Sequence, residues 1–445
     1  MATQSHHKFI KYYPQHMILL SLLGTMLIGV AFLALPISRL KEISFIDLLF
    51  TSASLTTVTG LTTVPLDAFS DTGHFIMLLL IQLGGLGLMT LSLVFIYMFT
   101  NLGVYTQVVA SEVLSIRNLK DTKKILFFMF KFTMLIEFIG ACVIFPTMYQ
   151  TYSLKYAIFL SIFHSISSFC NAGVTLFPNG IMTYENNPIF IITTTLLMIV
   201  GGLGFVTWHE LILRFRSKEH LHHFSWHTKL VLKMYGATSL ATGILFWILE
   251  RHNALAHIPI FKKLYFVFFT AISMKSTGFL IFPVQMLYLT TLLVCMVSMF
   301  IGSAPLSTGS GIKTSVFAIY LAIIKAAILG KRHAVLFGRH IIDEQVYKAT
   351  AIIALSLSWI LVAIFSLLFI EPNSSFIDVL FETVSAFTNN GTATNLSASV
   401  STLGKLLIMS TMLIGRIGAL AVVMSMKRSL DLHEISFPKE RIILG

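Results

Sequence analysis

The chain has 445 residues, 56% of them hydrophobic and only 11% charged, against about 25% charged in an ordinary soluble domain. So few charges cannot clothe a water-facing surface, which excludes a cytosolic enzyme, a disordered chain and a nucleic-acid-binding module. The net charge of +12 is then read as membrane orientation rather than affinity for nucleic acid, with lipid as the expected surrounding. Cys142, Cys170 and Cys295 are an odd number in apolar surroundings and give no disulfide framework.

Apolar runs long enough to cross a bilayer core of about 30 Å begin near Met17, His74, Ile125, Pro188, Lys229, Gln285, Lys348 and Leu403. The first ends at Pro36 without a small-residue cleavage site, so it reads as a retained span. Each pair of spans encloses a further apolar stretch of about 15 residues, too short to cross and read as re-entrant. Eight spans place both termini on one side. Of 31 Lys and Arg, 18 fall in the N-terminus, the loops near 101–124, 209–229 and 331–348, and the C-terminus; seven (Arg39, Lys41, Lys155, Arg251, Lys262, Lys263, Lys405) fall opposite. The side richer in basic residues is expected to be cytoplasmic, in a multi-pass protein of the cell membrane.

The re-entrant stretches repeat. FIDLLFTSASLTTVTGLTT from Phe45 aligns without a gap with FIDVLFETVSAFTNNGTAT from Phe376, and two weaker copies end at Gly173 and Gly278. Gly60, Gly173, Gly278 and Gly391 stand 113, 105 and 113 residues apart, each ten residues after a phenylalanine: Phe50, Phe163, Phe268 and Phe381. Gly84, Gly302 and Gly415 each follow their loop glycine by 24 residues, and Gly201 by 28. A fixed period outweighs any single motif. The expected fold is therefore an all-α polytopic membrane protein of four span–pore-loop–span units, with eight full spans and four re-entrant pore helices around one pore. The units are 1–100 (pore loop 57–61), 101–217 (loop 170–174), 218–330 (loop 275–279) and 331–445 (loop 388–392). Asp47 and Asp378, near the starts of their short helices, are expected to cap free N–H groups.

Non-helical backbone at membrane depth is tolerated where it lines a wet path or is buried in protein. The candidate loops are Thr57-Val58-Thr59-Gly60, Cys170-Asn171-Ala172-Gly173, Lys275-Ser276-Thr277-Gly278 and Thr388-Asn389-Asn390-Gly391. Glycine lets carbonyls turn towards an axis, and four loops give rings of carbonyl oxygens that replace a cation's water shell. The loops contain no Asp or Glu. Neutral rings suit a monovalent ion better than a divalent one, so potassium is the expected ion at these carbonyls. Lys275, beside the third loop, is expected to turn away and pair with an acid or with backbone carbonyls.

Ile301 to Ser315 interrupts the second span of unit three. It carries Gly302, Ser303, Pro305, Thr308, Gly309 and Gly311, residues that weaken a helix while hydroxyls satisfy the freed backbone. It is either a kinked helix or a polar loop, 302–311, across the conduction path. Arg416, near the middle of the last span, costs roughly 2.5–3.5 kcal/mol if it faces lipid and so should face the interior. There it would pair with carbonyls of the polar loop and raise a barrier to cations, or hold helix ends.

These motifs resemble those of the KtrB-type membrane subunits of bacterial Ktr potassium-uptake systems, in the Trk/Ktr/HKT superfamily. The resemblance spans nearly the whole chain, through Thr57 to Gly60, the single glycine of each other loop and Gly415-Arg416-Ile417-Gly418. It implies potassium uptake, a gate at 302–311 with Arg416, and a homodimer with one pore per protomer. It also implies control by a separate cytosolic KtrA-like ring of nucleotide-binding subunits that binds ATP or ADP, with no cofactor in this chain. Gly60 is associated with potassium-transporting members; a sodium-coupled or poorly selective monovalent cation transporter is the alternative.

Other classes fit less well. His209-Glu210 does not complete a zinc-enzyme HExxH because Leu213 holds the second His position, so no enzymatic activity is expected. The glycine runs at 84–87 and 201–204 suit close helix packing. The units share one direction, which disfavours a carrier built from inverted repeats.

Overall fold

The computed structural model describes residues 14–87, 119–216, 224–394 and 396–418. The unit boundaries expected at 100 and 217, much of the basic loop near 101–124, the two basic termini and the end of the last span lie outside the described residues. The chain is mainly helical. The expected unit one holds α1 (Pro14–Leu33), α2 (Phe45–Thr57) and α3 (Asp71–Leu86); the expected unit two holds α4 (Leu119–Tyr149), α5 (Leu154–Phe169), α6 (Pro188–Gly202) and α7 (Phe205–Arg216). Unit three has α8 (Trp226–Glu250), α9 (Ile260–Ser276), α10 (Leu289–Phe300) and α11 (Thr314–Ile328). A two-stranded hairpin pairs Val335 with His340. Then follow α12 (Asp343–Ile370), α13 (Phe376–Thr388), α14 (Leu396–Ser399) and α15 (Thr402–Ile417).

Among the described residues, three helices are long and apolar enough to cross a membrane, Leu126–Tyr149, Trp226–Glu250 and Asp343–Ile370. A fourth candidate is the pair α6 and α7, bent by 101° at its break. The second helices of units one, three and four are shorter: a loop interrupts the one in unit three, and those in units one and four end at Gly87 (φ 77°) and Gly418 (φ 92°).

Polarity is distributed inside out. Large apolar side chains such as Phe138, Phe261, Phe365 and Leu361 stand on the outer surface, whereas Ser52, Thr57, Ser165, Ser167, Thr277 and Thr388 are buried. That is the arrangement lipid selects, since only the interior can satisfy polar groups.

The C-terminal end of each unit's first long helix, or the turn just after it, grips the start of the second. The Ser70 hydroxyl donates to Ile37 O (2.5 Å), Asn187 Nδ2 to Thr147 Oγ1 (3.0 Å), Tyr288 N to Glu250 Oε1 (3.0 Å) and Ser401 N to Glu371 Oε1 (2.7 Å). Three chemistries make one clasp, the glutamate form occurring twice, and each ties together the two helices that flank a short one.

Two expectations need correction. Asp47 does not itself cap α2: Ser44 does, its hydroxyl accepting from Asp47 N. The Asp47 carboxylate accepts from the Ser44 hydroxyl (2.6 Å) and pairs with Lys405 Nζ at 2.7 Å, fastening the first pore helix to the last span. At α13 the N-cap is Ser375, with no capping bond from its side chain.

The second correction concerns unit three. Phe50, Phe163 and Phe381 are buried as expected, but Phe268 is 51% exposed and Phe269 is the buried ring. One residue of helix is a turn of about 100°, so the third pore helix sits one residue out of the aligned register. Its tie-back shows the same shift. Thr59, Ala172 and Asn390, each just before its glycine, donate to the carbonyls of Ser54, Ser167 and Ser385, while in unit three Gly278 itself donates to Ser273 O. The third loop thus reaches its glycine one residue sooner.

Glu382, fully buried, accepts from the backbone N–H groups of Thr394 (2.9 Å), Leu396 (2.7 Å) and Ser397 (2.8 Å). Glu382→Ala is expected to destabilise the folded protein by about 3 kcal/mol or more, since two buried N–H donors and a half-buried one lose their acceptor. Glu382→Gln, which keeps one oxygen, should lose less. Denaturation midpoints of the purified protein in detergent provide the check.

Candidate ion-conduction site

The four loop glycines share one conformation. Gly60, Gly173, Gly278 and Gly391 have φ of 93°, 69°, 74° and 86°, which side chains rarely adopt. They also meet one another's loops in a fixed order. A side-chain carbon on Gly60 would overlap the carbonyl oxygen of Ala172; on Gly173, that of Thr277; on Gly278, that of Asn390; on Gly391, that of Thr59. Each obstructing oxygen belongs to the residue just before the next unit's glycine. The circuit closes on itself, so Thr59, Ala172, Thr277 and Asn390 surround one centre.

The residues before each glycine lock the loops. Val58, Asn171 and Asn389 turn the chain in the left-handed region (φ 58°, 58° and 49°). In the shortened third loop Ser276 ends the helix and Thr277 stays right-handed (φ −110°). Thr57 and Thr59 share a hydrogen bond between hydroxyls (2.7 Å). Asn389 Nδ2 donates to Thr59 Oγ1 (2.7 Å) and to Met412 O (3.0 Å), joining loops four and one. Asn390 Nδ2 donates to Ser273 O (3.0 Å), joining four and three. The Thr277 hydroxyl donates to Asn171 Oδ1 (2.6 Å), joining three and two. Cys170 sits behind the second loop, fully buried.

Glycines on the second spans set the loops' depth. A side chain on Gly84, Gly201 or Gly415 would strike the carbonyl of Thr56, Phe169 or Phe387, in each case four residues before the loop glycine. Gly302 departs from this: it packs on Ser310 O, because the interrupting loop folds back there.

That loop runs between Phe300 and Thr314, close to the expected limits, and is a folded excursion rather than a kink. Ser303 N donates to Ser310 O, Ile312 N to Phe300 O and Thr314 N to Ser303 O. Further bonds fix it to the break in unit two: Ala304 N to Gly202 O, Thr308 N to Gly201 O and Phe205 N to Leu306 O. Gly204, at φ 85°, lies against the carbonyl of Pro305, so the glycine run 201–204 serves a contact between helix and loop. Gly309 lies against the hydroxyls of Ser303 and Ser276, and Gly311 against Gly302.

Arg416 reaches the same loop, donating to Thr308 O (3.0 Å), to the Ser310 hydroxyl (2.7 Å) and to Gly84 O (2.5 Å). A cavity of about 470 Å³ adjoins the loop, lined by Gly85, Gly309, Ser310, Lys313, Gly415 and Arg416 among others. Lys275 does turn away from the glycine circuit, but to neither expected partner. Its ammonium meets the Thr238 hydroxyl (2.5 Å) and lies 4.7 Å from the centre of the Tyr235 ring. Glu210, of the incomplete HExxH, accepts from the hydroxyls of Ser225 and Thr228 and so tethers the start of α8. Among the described residues no cluster of His, Cys, Asp or Glu could hold a metal ion.

Comparison with known proteins fits this architecture. Residues 25–432 match TrkH, described as a cation transport protein. The chain belongs to the TrkH family. Within it, the chain is similar to the Ktr system potassium uptake protein B of Bacillus subtilis, with 33% identity over 98% of both chains. It is equally similar to that of Vibrio alginolyticus, 33% identical over 100% of both. The potassium/sodium uptake protein NtpJ of Enterococcus hirae is 32% identical over 94% of both. The crystal structure of the potassium transporter TrkH from Vibrio parahaemolyticus superposes with a TM-score of 0.74 over 95% of this chain and 86% of that one, at 17% identity, which shows the shared fold. The family is one of transporters, not enzymes.

Some contributors escape a reading of the TrkH-type motifs. Lys313 Nζ donates to Gly309 O (2.6 Å), a second cation on the polar loop; its signal is a lysine two residues after Gly311 in an apolar run. Ser167 ties its loop back by accepting from Val174 N (3.0 Å), and Ser54 does the same from Gly60 N (3.0 Å). A serine six residues before the glycine in three copies was the available signal. Buried Glu137 accepts from Gln82 (3.0 Å) beside Cys170, and no local pattern announces that contact.

Gly173→Ala is expected to abolish ion flux, because the added carbon meets the Thr277 carbonyl and strains a positive φ. Gly236→Ala, where nothing lies within 4 Å, should leave flux and stability within about 0.5 kcal/mol of wild type. Flux into liposomes, scaled to assembled protein, compares the two.

Proposed function

We propose that this chain carries potassium into the cell through a filter formed by the carbonyls of the four loops. The observation that carries this reading is the closed glycine–carbonyl circuit, whose oxygens at Thr59, Ala172, Thr277 and Asn390 belong to four loops around one centre. Thr57, Val58, Cys170, Asn171, Ser276 and Asn389 complete the filter loops. Neutral oxygens in a ring replace the hydration shell of a monovalent cation. Two relatives are named as potassium uptake proteins and one as a potassium/sodium uptake protein. Potassium is therefore the first substrate and sodium the competitor.

In this reading the four units each contribute a span, a pore helix, a loop and a second span, making eight spans with both termini in the cytoplasm. The loop 302–311 is the gate. It lies against the second and third filter loops, and Arg416 holds it while placing a positive charge below the filter. The Ktr system names of the relatives suit a multicomponent assembly. A homodimer with one pore per protomer, controlled by a cytosolic nucleotide-binding ring that carries ATP or ADP, completes the proposal.

Two variants test it. Gly60→Ser places a side chain against the Ala172 carbonyl and should lower the potassium preference over sodium several-fold. Uptake of each ion by transport-deficient cells measures this, and unchanged selectivity at normal expression would count against the filter. Arg416→Ala removes three hydrogen bonds and a charge, so basal potassium flux without the regulator should rise about tenfold, equivalent to ~1.4 kcal/mol of gate stabilisation. Equal or lower flux per assembled protein in liposomes would make Arg416 a structural residue.

A further inference from the structure

Asn171 joins three segments drawn from two units. Its Oδ1 accepts from the Thr277 hydroxyl on the third pore loop (2.6 Å). Its Nδ2 donates to the Thr308 hydroxyl on the intramembrane loop (2.8 Å) and to Phe169 O at the end of its own pore helix (3.3 Å). The Thr308 hydroxyl donates in turn to Phe169 O (2.8 Å), and the Thr308 carbonyl accepts from Arg416 (3.0 Å). Asn171 is 3% exposed, and Thr277 and Thr308 are fully buried. An unbroken series of contacts thus runs from Arg416 through the loop to the residues beside the Ala172 and Thr277 carbonyls.

We propose that Asn171 is a positioning residue that couples filter to gate: potassium in the ring and the intramembrane loop in its seat each stabilise the other. The inference rests on the reading of the ring as a potassium filter and of 302–311 as the gate. An amide offers distinct donor and acceptor ends, and here both are occupied by different moving parts. When the loop leaves, Nδ2 loses its 2.8 Å bond to Thr308 and keeps only the longer one to Phe169 O, at 3.3 Å, so the amide turns towards Phe169 to shorten it. Turning it releases Thr277 at the other end. Asn171 also holds φ 58° immediately before Ala172, so its backbone adjustment is passed to that carbonyl. A parallel link joins the same loop to the third filter loop, from the Ser303 hydroxyl to that of Ser276 (3.1 Å). The ring therefore holds ions best while the loop is seated and loosens on two of its four sides when the loop departs. Because binding linkage is reciprocal, ions in the ring favour the seated loop by the same factor.

Thr308→Val tests the coupling, since it removes the hydroxyl at nearly constant volume and touches no filter residue in sequence. Potassium binding to the purified, assembled protein without the regulator is titrated by calorimetry, alongside flux in liposomes. Thr308→Val is expected to weaken potassium binding about fivefold and to raise basal flux, while Thr308→Ser, which keeps the hydroxyl, restores both. Adding Thr308→Val to Asn171→Ala should weaken binding no further than Asn171→Ala alone. Wild-type affinity in Thr308→Val, or losses that simply add in the double variant, would overturn the coupling while leaving filter and gate intact. Absence of saturable potassium binding by the wild type would instead remove the filter reading on which it rests. If Thr308→Val does not assemble, Ser303→Ala cuts the parallel link; weakened binding supports the coupling and unchanged binding overturns it.

Discussion

The contact on which the rest of the structure depends is a glycine pressed against the carbonyl of the next loop, made four times in a closed circuit. No side chain fits there, and no residue but glycine takes that backbone conformation without strain. The remainder of the fold serves to hold it. Buried serines tie the loops back to their pore helices, and glycines on the second spans press against the carbonyls of Thr56, Phe169 and Phe387. The clasps between the flanking helices fix where each short helix begins. Hydroxyls and amides collect in the interior because a carbonyl ring needs polar surroundings, and the apolar residues that a soluble protein would bury are left to face lipid.

Much of this was legible as spacing. A period of about 110 residues, one glycine per period and the weak stretch from Ile301 to Ser315 depend on chain order alone, and they located the loops and the interruption. The third pore helix escaped because Phe268 and Phe269 are adjacent: the pattern of a phenylalanine ten residues before glycine selects the first, and the helix buries the second. The clasps escaped for another reason. They occupy the same place in each unit but use a serine hydroxyl, an asparagine amide, or a glutamate accepting from the backbone, so no one residue type recurs in all four. Lys275 was expected beside an acid or carbonyls; a hydroxyl and an aromatic face satisfy it instead, and both come from α8, a helix of its own unit but distant from the loop in sequence.

The repeated pattern is broken in unit three. Unit three has the shorter loop, no left-handed residue before its glycine, and the folded excursion in its second span. These features belong together. Ser276, still helical, presents its hydroxyl to Ser303, and the excursion fills the space that an intact second span would occupy below the ring. Units one, two and four share one loop form, and unit three carries the excursion, hydrogen-bonded to its neighbours Gly201, Gly202 and Phe205.

The Asp47–Lys405 ion pair has a consequence for synthesis. Residues 358 positions apart must meet, as must Thr59 and Asn389 across 330. Contacts so distant in the chain are slow to form and come only after the last segment is made. Until α15 has entered the bilayer, the first pore helix lacks its ionic partner and the first loop lacks half of its neighbours, so a chain released early leaves unpaired polar backbone at membrane depth. The ties to α15 and to the fourth loop are thus the last that the first loop and its helix acquire.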